Sequence, residues 1–223
     1  MQYQIRGELA QVAELSMSAG ETCWSSKGGL MSLTPGVNWS LKIPGGLGGA
    51  VRRSFSGEGV TMTYIEATQD NQYVVLTSNQ PGKIIDWDLA DGPVVTTRGS
   101  FVAAFGSDID ITVIVAKRAG AALFGGAGLF LQKISGKGTV LVHGAGDFID
   151  RRLQAQESIL VSTGNLAAFA DRVDYNIQGV AGCGRIMFGG EGLFMTKLTG
   201  PGRVLLQSLK RVTASANTNA AAG

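Results

Sequence analysis

The stretch GGAGLFLQKISGKG, residues 125–138, decides the fold because it occurs three times along the chain. It aligns without gaps with GLGGAVRRSFSGEG at residues 46–59 and with GGEGLFMTKLTGPG at residues 189–202. Self-similarity of this kind is the sequence signature of a repeat architecture. We interpret the coinciding glycines as structural, placed where the backbone turns tightly or another strand approaches closely. They are Gly46, Gly49, Gly57, Gly59, Gly125, Gly128, Gly136, Gly138, Gly189, Gly192, Gly200 and Gly202.

Two further sets of columns support the repeat. An apolar column places Phe55 with Ile134 and Leu198. Upstream, an alanine stands nine residues before a glycine, and a large apolar residue follows that glycine two residues later. This upstream set comprises Ala19, Gly28 and Leu30, then Ala90, Gly99 and Phe101, then Ala155, Gly164 and Leu166.

The columns predict three copies of one unit, near residues 10–82, 83–147 and 148–211. We expect them to form a single compact β body over residues 1–211. The tail at 212–223 has no large apolar side chain after its first residues, so it is expected to be flexible.

Each unit is predicted to consist of antiparallel strands. Short apolar runs bounded by glycines are typical of strands, as at 113–115, 140–142 and 204–206. Residues 84–89 and 158–162 are further strand candidates. No stretch of twelve residues keeps a helical period. The sequence therefore predicts an all-β protein with almost no helix, whose Gly-x-Gly pairs form tight turns between strands.

Composition excludes several classes of protein. The 223 residues carry a net charge of only +2, so there is no strong signal for nucleic acid or an anionic membrane. One histidine and two cysteines cannot build a zinc finger or a multi-histidine metal centre. No secretory signal or transmembrane segment is evident, and widely spaced cysteines favour free thiols, so we expect a cytoplasmic protein. No cofactor is expected.

The residue types that catalysis commonly uses have simpler interpretations here. His143 is the single histidine, and no nucleophile-elbow sequence accompanies it. It aligns with Tyr64 and Gln207, which favours a polar surface residue at a strand end. The carboxylate pairs Asp86/Asp88 and Asp108/Asp110 fit a solvated strand face better than an acid–base pair. The sequence therefore predicts that the protein is not an enzyme.

Pairs of basic residues recur along the chain and offer a candidate anion site. The candidates are Arg52, Arg53, Arg151 and Arg152. Adjacent residues on a strand point to opposite faces, so one member of each pair is expected to face a ring interior or a subunit contact. Arginines brought together in this way bind anions well. Neighbouring carboxylates such as Asp150 would neutralise them.

The glycine-rich segments and the Leu/Ile-[Ser/Thr]-Gly-x-Gly turns resemble the family of the altered-inheritance-of-mitochondria protein 24 and its bacterial relatives, over about residues 5–210. The segment 147–150 and the Ala-Gly-Glu at 19–21 fit the same family. The resemblance implies a double-stranded β-helix or β-sandwich similar to the tryptophan RNA-binding attenuation protein, a tendency to form closed oligomers, and no catalytic residues. The fungal member is linked to mitochondrial organisation.

Together these observations predict a structural or interaction module that forms a homo-oligomer through strand edges, with a trimer or a multiple of it favoured. The alternative is a module that binds a small ligand or anion between repeats. A metal-dependent enzyme of the cupin kind is the weakest possibility, because it needs about three ligands from His and Glu side chains on neighbouring strands.

Overall fold

The computed structural model describes residues 1–44, 61–116, 129–179 and 194–211. In these ranges the chain forms antiparallel strands joined by turns, and the only helical elements are two single turns of 3-10 helix, at Leu89–Asp91 and Thr163–Asn165. The prediction of an all-β protein with almost no helix is confirmed. The predicted flexible tail at 212–223 lies outside the described residues.

Seven strands precede residue 80, and their side chains alternate between core and surface. In β2, Ala13, Leu15 and Met17 are buried while the residues between them are more exposed, which is the period-two pattern of a half-buried strand. The seven strands are β1 (Gln2–Arg6), β2 (Val12–Met17), β3 (Thr22–Ser25), β4 (Leu30–Leu33), β5 (Val37–Lys42), β6 (Met62–Ala67) and β7 (Gln72–Leu76). Strand β7 lies between β2 and β4, and β6 lies between β3 and β5.

The next four strands are dominated by two very long ones. They are β8 (Gly82–Asp88), β9 (Val94–Thr97), β10 (Phe101–Ala116) and β11 (Leu129–Ala145). The second half of β11 pairs with β8 and with the first half of β10, whereas its first half pairs with β9 and with the second half of β10.

Six shorter strands complete the described chain. They are β12 (Phe148–Leu153), β13 (Ser158–Ser162), β14 (Leu166–Ala170), β15 (Asp174–Gly179), β16 (Phe194–Thr199) and β17 (Gly202–Gln207). Strand β17 lies between β12 and β14, and β16 lies between β13 and β15. Both β13 and β17 occur where the sequence predicts strands.

Two ladders join these three groups of strands. Strand β3 pairs with the first half of β10, and β9 pairs with β14. One buried cluster, including Leu15, Ile65 and Leu141, lies among β2 to β8 and β10 to β11. A second, including Trp87, Phe101 and Phe169, lies among the strands after β5. The apolar alternation of the strands thus produces two adjoining cores.

Gly136 and Gly138 do not form the tight turn that the sequence predicts, because β11 continues through both of them. Their φ angles of 120° and 144° are positive. A Cβ on Gly138 would lie 2.1 Å from the carbonyl oxygen of Phe105, and one on Gly136 would lie 2.4 Å from that of Asp108. These glycines let β10 and β11 touch where their register shifts. Gly200 and Gly202, in contrast, flank the short connection between β16 and β17.

The strand pairing also bears on the apolar column of the glycine segments. Ile134 lies opposite Val94, and Leu198 lies opposite Ile159. In the first group of strands, Ile65 is the residue opposite Cys23. Phe55, which the sequence alignment placed with Ile134 and Leu198, lies outside the described residues, as do the glycines at 46–59, 125–128 and 189–192.

Candidate functional site

Seven strands are hydrogen-bonded along one side only in the described part of the chain: β1, β4, β5, β8, β12, β13 and β15. An unpaired strand edge is a template for another strand, and proteins usually protect such edges with charged side chains. Five of the seven carry charge within the strand. Strands β4 (Leu-Met-Ser-Leu) and β13 (Ser-Ile-Leu-Val-Ser) carry none.

The two uncharged edges also present exposed apolar side chains. Met31 on β4 is 65% exposed and Leu160 on β13 is 60% exposed. Single exposed apolar residues are ordinary on protein surfaces. Here each stands in the middle of an open edge with no charge to repel a partner, and that combination makes β4 and β13 the candidate interaction surfaces.

The edge of β12 differs because it carries charged side chains, and one of them forms an ion pair within the chain. Arg203 on β17 donates to both carboxylate oxygens of Asp150, at 2.8–3.2 Å. Its guanidinium also lies 4.9 Å from the ring centroid of Trp87, within the range of a cation–π contact. Asp150 is therefore engaged by Arg203 rather than by the arginines that follow it in sequence.

Of the four candidate anion-binding arginines, the structure describes Arg151 and Arg152. Arg151 and Arg152 are adjacent on β12 and both are exposed in the single chain. The expectation that one member faces a ring interior or a subunit contact stays a prediction. Arg52 and Arg53 lie outside the described residues. In another basic pair, Lys210 is exposed and Arg211 is half-buried.

His143 is fully buried, which corrects its prediction as a surface residue. It lies near the end of β11, where its backbone N–H donates to the Ser100 carbonyl at 2.8 Å. Arg211 donates through Nη2 to the ring Nδ1 at 2.5 Å and to the His143 carbonyl at 3.2 Å. Tyr64, with which the sequence aligned His143, lies on β6 opposite Trp24 of β3.

Burial and the nearby Arg211 charge lower the pKa of His143 to about 4. The imidazole is therefore neutral near pH 7, with Nδ1 as the acceptor toward Arg211 and the proton assigned to Nε2. Nε2 itself has no hydrogen-bond partner among the described residues. Among the described residues the ring hydrogen-bonds to Arg211 and to no carboxylate or hydroxyl group, so these residues do not form a catalytic triad.

Gln207 connects this buried cluster to the neighbouring strands. Its Oε1 accepts from the Ala145 N–H at 3.1 Å and from Arg211 Nε at 3.1 Å. Its Nε2 donates to the Gly164 carbonyl at 2.8 Å. The cluster ties the ends of β11 and β17 together, so its geometry supports a structural role.

The carboxylate pairs are solvated. Asp86 and Asp88 are exposed on either side of the buried Trp87, and Asp88 accepts from the Ala90 N–H at 2.8 Å. Asp108 and Asp110 are also exposed. Within the described ranges, no three His, Cys, Asp or Glu side chains come together in a way that would hold a metal ion. None of the helical elements described is long and apolar enough to cross a membrane.

Comparison with known proteins identifies the family. In a solved crystal structure, the protein SPYM3_0169 from Streptococcus pyogenes has a similar fold, with a TM-score of 0.76 and 25% sequence identity over 94% of each chain. No functionally curated protein matches this chain. The family described as "Mitochondrial biogenesis AIM24" matches residues 3–209. Because that match covers almost the whole sequence, and because the all-β fold agrees with it, this chain belongs to the AIM24 family.

Proposed function

We propose that this protein is a non-enzymatic structural or interaction module that assembles with copies of itself through strand edges. The observation that carries the proposal is the pair of open, uncharged edges on β4 and β13, each with an exposed apolar residue at its centre. Closing such edges against another chain removes the hazard of uncontrolled pairing. A symmetric homo-oligomer, a trimer or a multiple of it, closes them with no other protein.

We further propose that the chain consists of three copies of a six-stranded unit. The copies are β2–β7, β8–β11 and β12–β17, and in the second copy the long strands β10 and β11 each take the place of two strands. Support comes from the pairing pattern, because in each group the first strand pairs with the last and the second pairs with the last but one. The third strand then pairs with the other side of the last strand, and the fourth pairs with the other side of the last but one. Such nesting is typical of jelly-roll and double-stranded β-helix folds.

Native mass spectrometry of the purified protein at micromolar concentration tests the assembly. A single species of integer subunit mass above the monomer is the expected result. A monomer at that concentration would refute self-assembly. Non-protein mass retained on each subunit would instead favour a binding function.

A second function, anion binding, is favoured by one observation. Arg151 and Arg152 are adjacent and exposed, and Asp150 is engaged by Arg203 instead of neutralising them. Because adjacent strand residues point to opposite faces, each guanidinium is open on its own face of β12 and can bind a phosphate or carboxylate there. Phosphate and citrate should then raise the melting temperature of the native protein more than that of the Arg151→Gln/Arg152→Gln variant. Equal shifts in both proteins would eliminate this site.

The compartment is proposed to be a reducing one. Cys23 is a buried free thiol, which agrees with the persistence of thiols in the cytosol.

A further inference from the structure

Within the chain, the two ladders that join the groups of strands have the same register. In the first, Ser25 lies opposite Ala103. In the second, Thr96 lies opposite Ala168. Thr96 lies 71 residues after Ser25 and Ala168 lies 65 residues after Ala103, and these are the spacings of the upstream repeat columns. The same contact is therefore made twice, by corresponding strands in the same alignment.

Three groups of strands in a row make this contact twice. One strand of each of the two kinds that form the contact is therefore left without such a partner, one at each end of the row. The unused strand that corresponds to β3 and β9 is β13, and the one that corresponds to β10 and β14 is β4. Neither has a second strand partner in the described part of the chain. They are also the two uncharged open edges.

We propose that β13 of one copy pairs antiparallel with β4 of the next copy. Applying the two spacings places Val161 opposite Ser32 and Leu160 opposite Leu33. This inference rests on the proposed self-assembly and names the strands, the partner and the register that carry it.

The burial of corresponding residues supports this pairing. Val95 corresponds to Leu160 and is 2% exposed in the ladder between β9 and β14, whereas Leu160 is 60% exposed. Val102 and Ala167 correspond to Met31 and are 1% and 0% exposed, whereas Met31 is 65% exposed. The contact between copies would cover the two apolar residues whose counterparts are already covered inside the chain.

The hydrogen bonds at the two internal ladders agree as well. The Ser26 N–H donates to the Val102 carbonyl at 3.2 Å, and the Thr97 hydroxyl donates to the Ala167 carbonyl at 3.3 Å. Ser162 corresponds to Ser26 and Thr97, and it is a hydroxyl residue too. The Met31 carbonyl of the next copy is its expected acceptor.

The contact joins two different edges, so it is heterologous. Each copy keeps one free β4 and one free β13 until the assembly closes, and the result is a ring if the rotation closes and an open chain if it does not. Pairing of β13 with β13, or of β4 with β4, would instead stop at a two-fold dimer.

Cysteine cross-linking tests the register directly. The Ser26–Val102 bond makes Ser25–Ala103 a non-hydrogen-bonded pair, and Val161–Ser32 is its counterpart, so the two Cα atoms should lie about 4.5 Å apart, within disulfide range. Val161→Cys and Ser32→Cys are made separately in a Cys183→Ser chain and mixed under mild oxidation. Cys23 is retained because it is 1% exposed. A covalent dimer that forms only in the mixture is the expected result.

Two controls make the outcome specific. Val161→Cys mixed with Leu33→Cys, one residue out of register on the opposite face of β4, should not cross-link. A disulfide within Val161→Cys alone would indicate β13–β13 pairing and would overturn the proposal, as would equal cross-linking of the Leu33→Cys mixture.

A disruption experiment separates this inference from the proposed function. Leu160→Asp should weaken assembly about tenfold or more, because it places a charge at the centre of the edge. Leu9→Asp, at an 82% exposed residue outside the strands, is the matched control and should assemble normally. If the parent chain is monomeric, self-assembly itself is refuted. If the parent assembles but Leu160→Asp assembles equally well and no cross-link forms, only the β13–β4 contact is refuted.

Discussion

Acidification should destabilise this protein through one side chain, His143. Its pKa is about 4 in the native state, against an ordinary value of 6.5. Between these values the unfolded chain binds a proton that the native state does not, so stability falls as the pH is lowered. The contribution is intact above about pH 6.5 and is lost progressively toward pH 4.

The size of the effect follows from the pKa difference. The linkage relation gives a loss of about 2 kcal/mol between pH 7 and pH 5, approaching roughly 3 kcal/mol once the pH falls below both pKa values. The physical cause is the burial of the ring and the Arg211 guanidinium on its Nδ1 side. A second positive charge there would be both desolvated and repelled.

Urea unfolding at several pH values measures this loss, with His143→Gln as the control. Glutamine offers Arg211 an acceptor without titrating, so the variant should lose about 2 kcal/mol less than the parent between pH 7 and pH 5. Carboxylates titrate in both proteins and cancel in the comparison. His143 is the only histidine in the chain, so NMR titration reports its pKa without assignment. A native pKa near 6.5, or parallel stability curves, would refute the reasoning.

Three further predictions concern close packing. Gly138→Ala should destabilise the fold by about 3 kcal/mol or more, since the new Cβ would lie 2.1 Å from the Phe105 carbonyl oxygen. Gly92→Ala, also at positive φ but with nothing within 4 Å, should cost only about 1–2 kcal/mol in the same urea assay. Leu141→Ala should cost about 3 kcal/mol by leaving a cavity at a fully buried site; a loss under about 1 kcal/mol would contradict its core position. Burial raises the pKa of the Cys23 thiol to about 12, so iodoacetamide at pH 8 should modify Cys23 only after unfolding, as peptide mass spectrometry would detect.

The strands were largely predictable because their side chains obey a local rule. The stretch 158–162 forms β13 with the predicted bounds, and Trp87 is buried between two exposed aspartates as the alternation of β8 requires. Period-two alternation depends only on neighbouring residues and on which face meets the core. No long-range information is needed to find such strands.

The glycine segments misled the prediction of turns because glycine fits several backbone geometries. A Gly-x-Gly pair suits a tight turn, yet Gly136 and Gly138 serve a close approach of two long strands. Matching glycines therefore do not show which apolar residues of distant segments lie opposite each other in the sheets. Register is set by contacts between distant strands, and glycines alone do not specify it.

The buried histidine could not be predicted from its surroundings in the sequence. Its position after an apolar run and before Gly144 is typical of an exposed strand end. Its burial depends on Arg211, 68 residues away, and on the backbone of Ser100. No local pattern relates Arg211 to His143, because their contact joins segments that lie far apart along the chain.

Charge is the feature that distinguishes the two candidate edges from the other open edges. Strand β12 keeps Asp150, Arg151 and Arg152 on its edge, as expected of a strand that must not pair. Strands β4 and β13 have no such protection, and inside the chain their counterparts are already paired. An edge that stays open in the working protein is normally protected by charge, whereas an edge that is always paired has no need of it. The absence of charge on these two strands, and its presence on the other five, therefore supports the proposed pairing of β4 with β13 between copies.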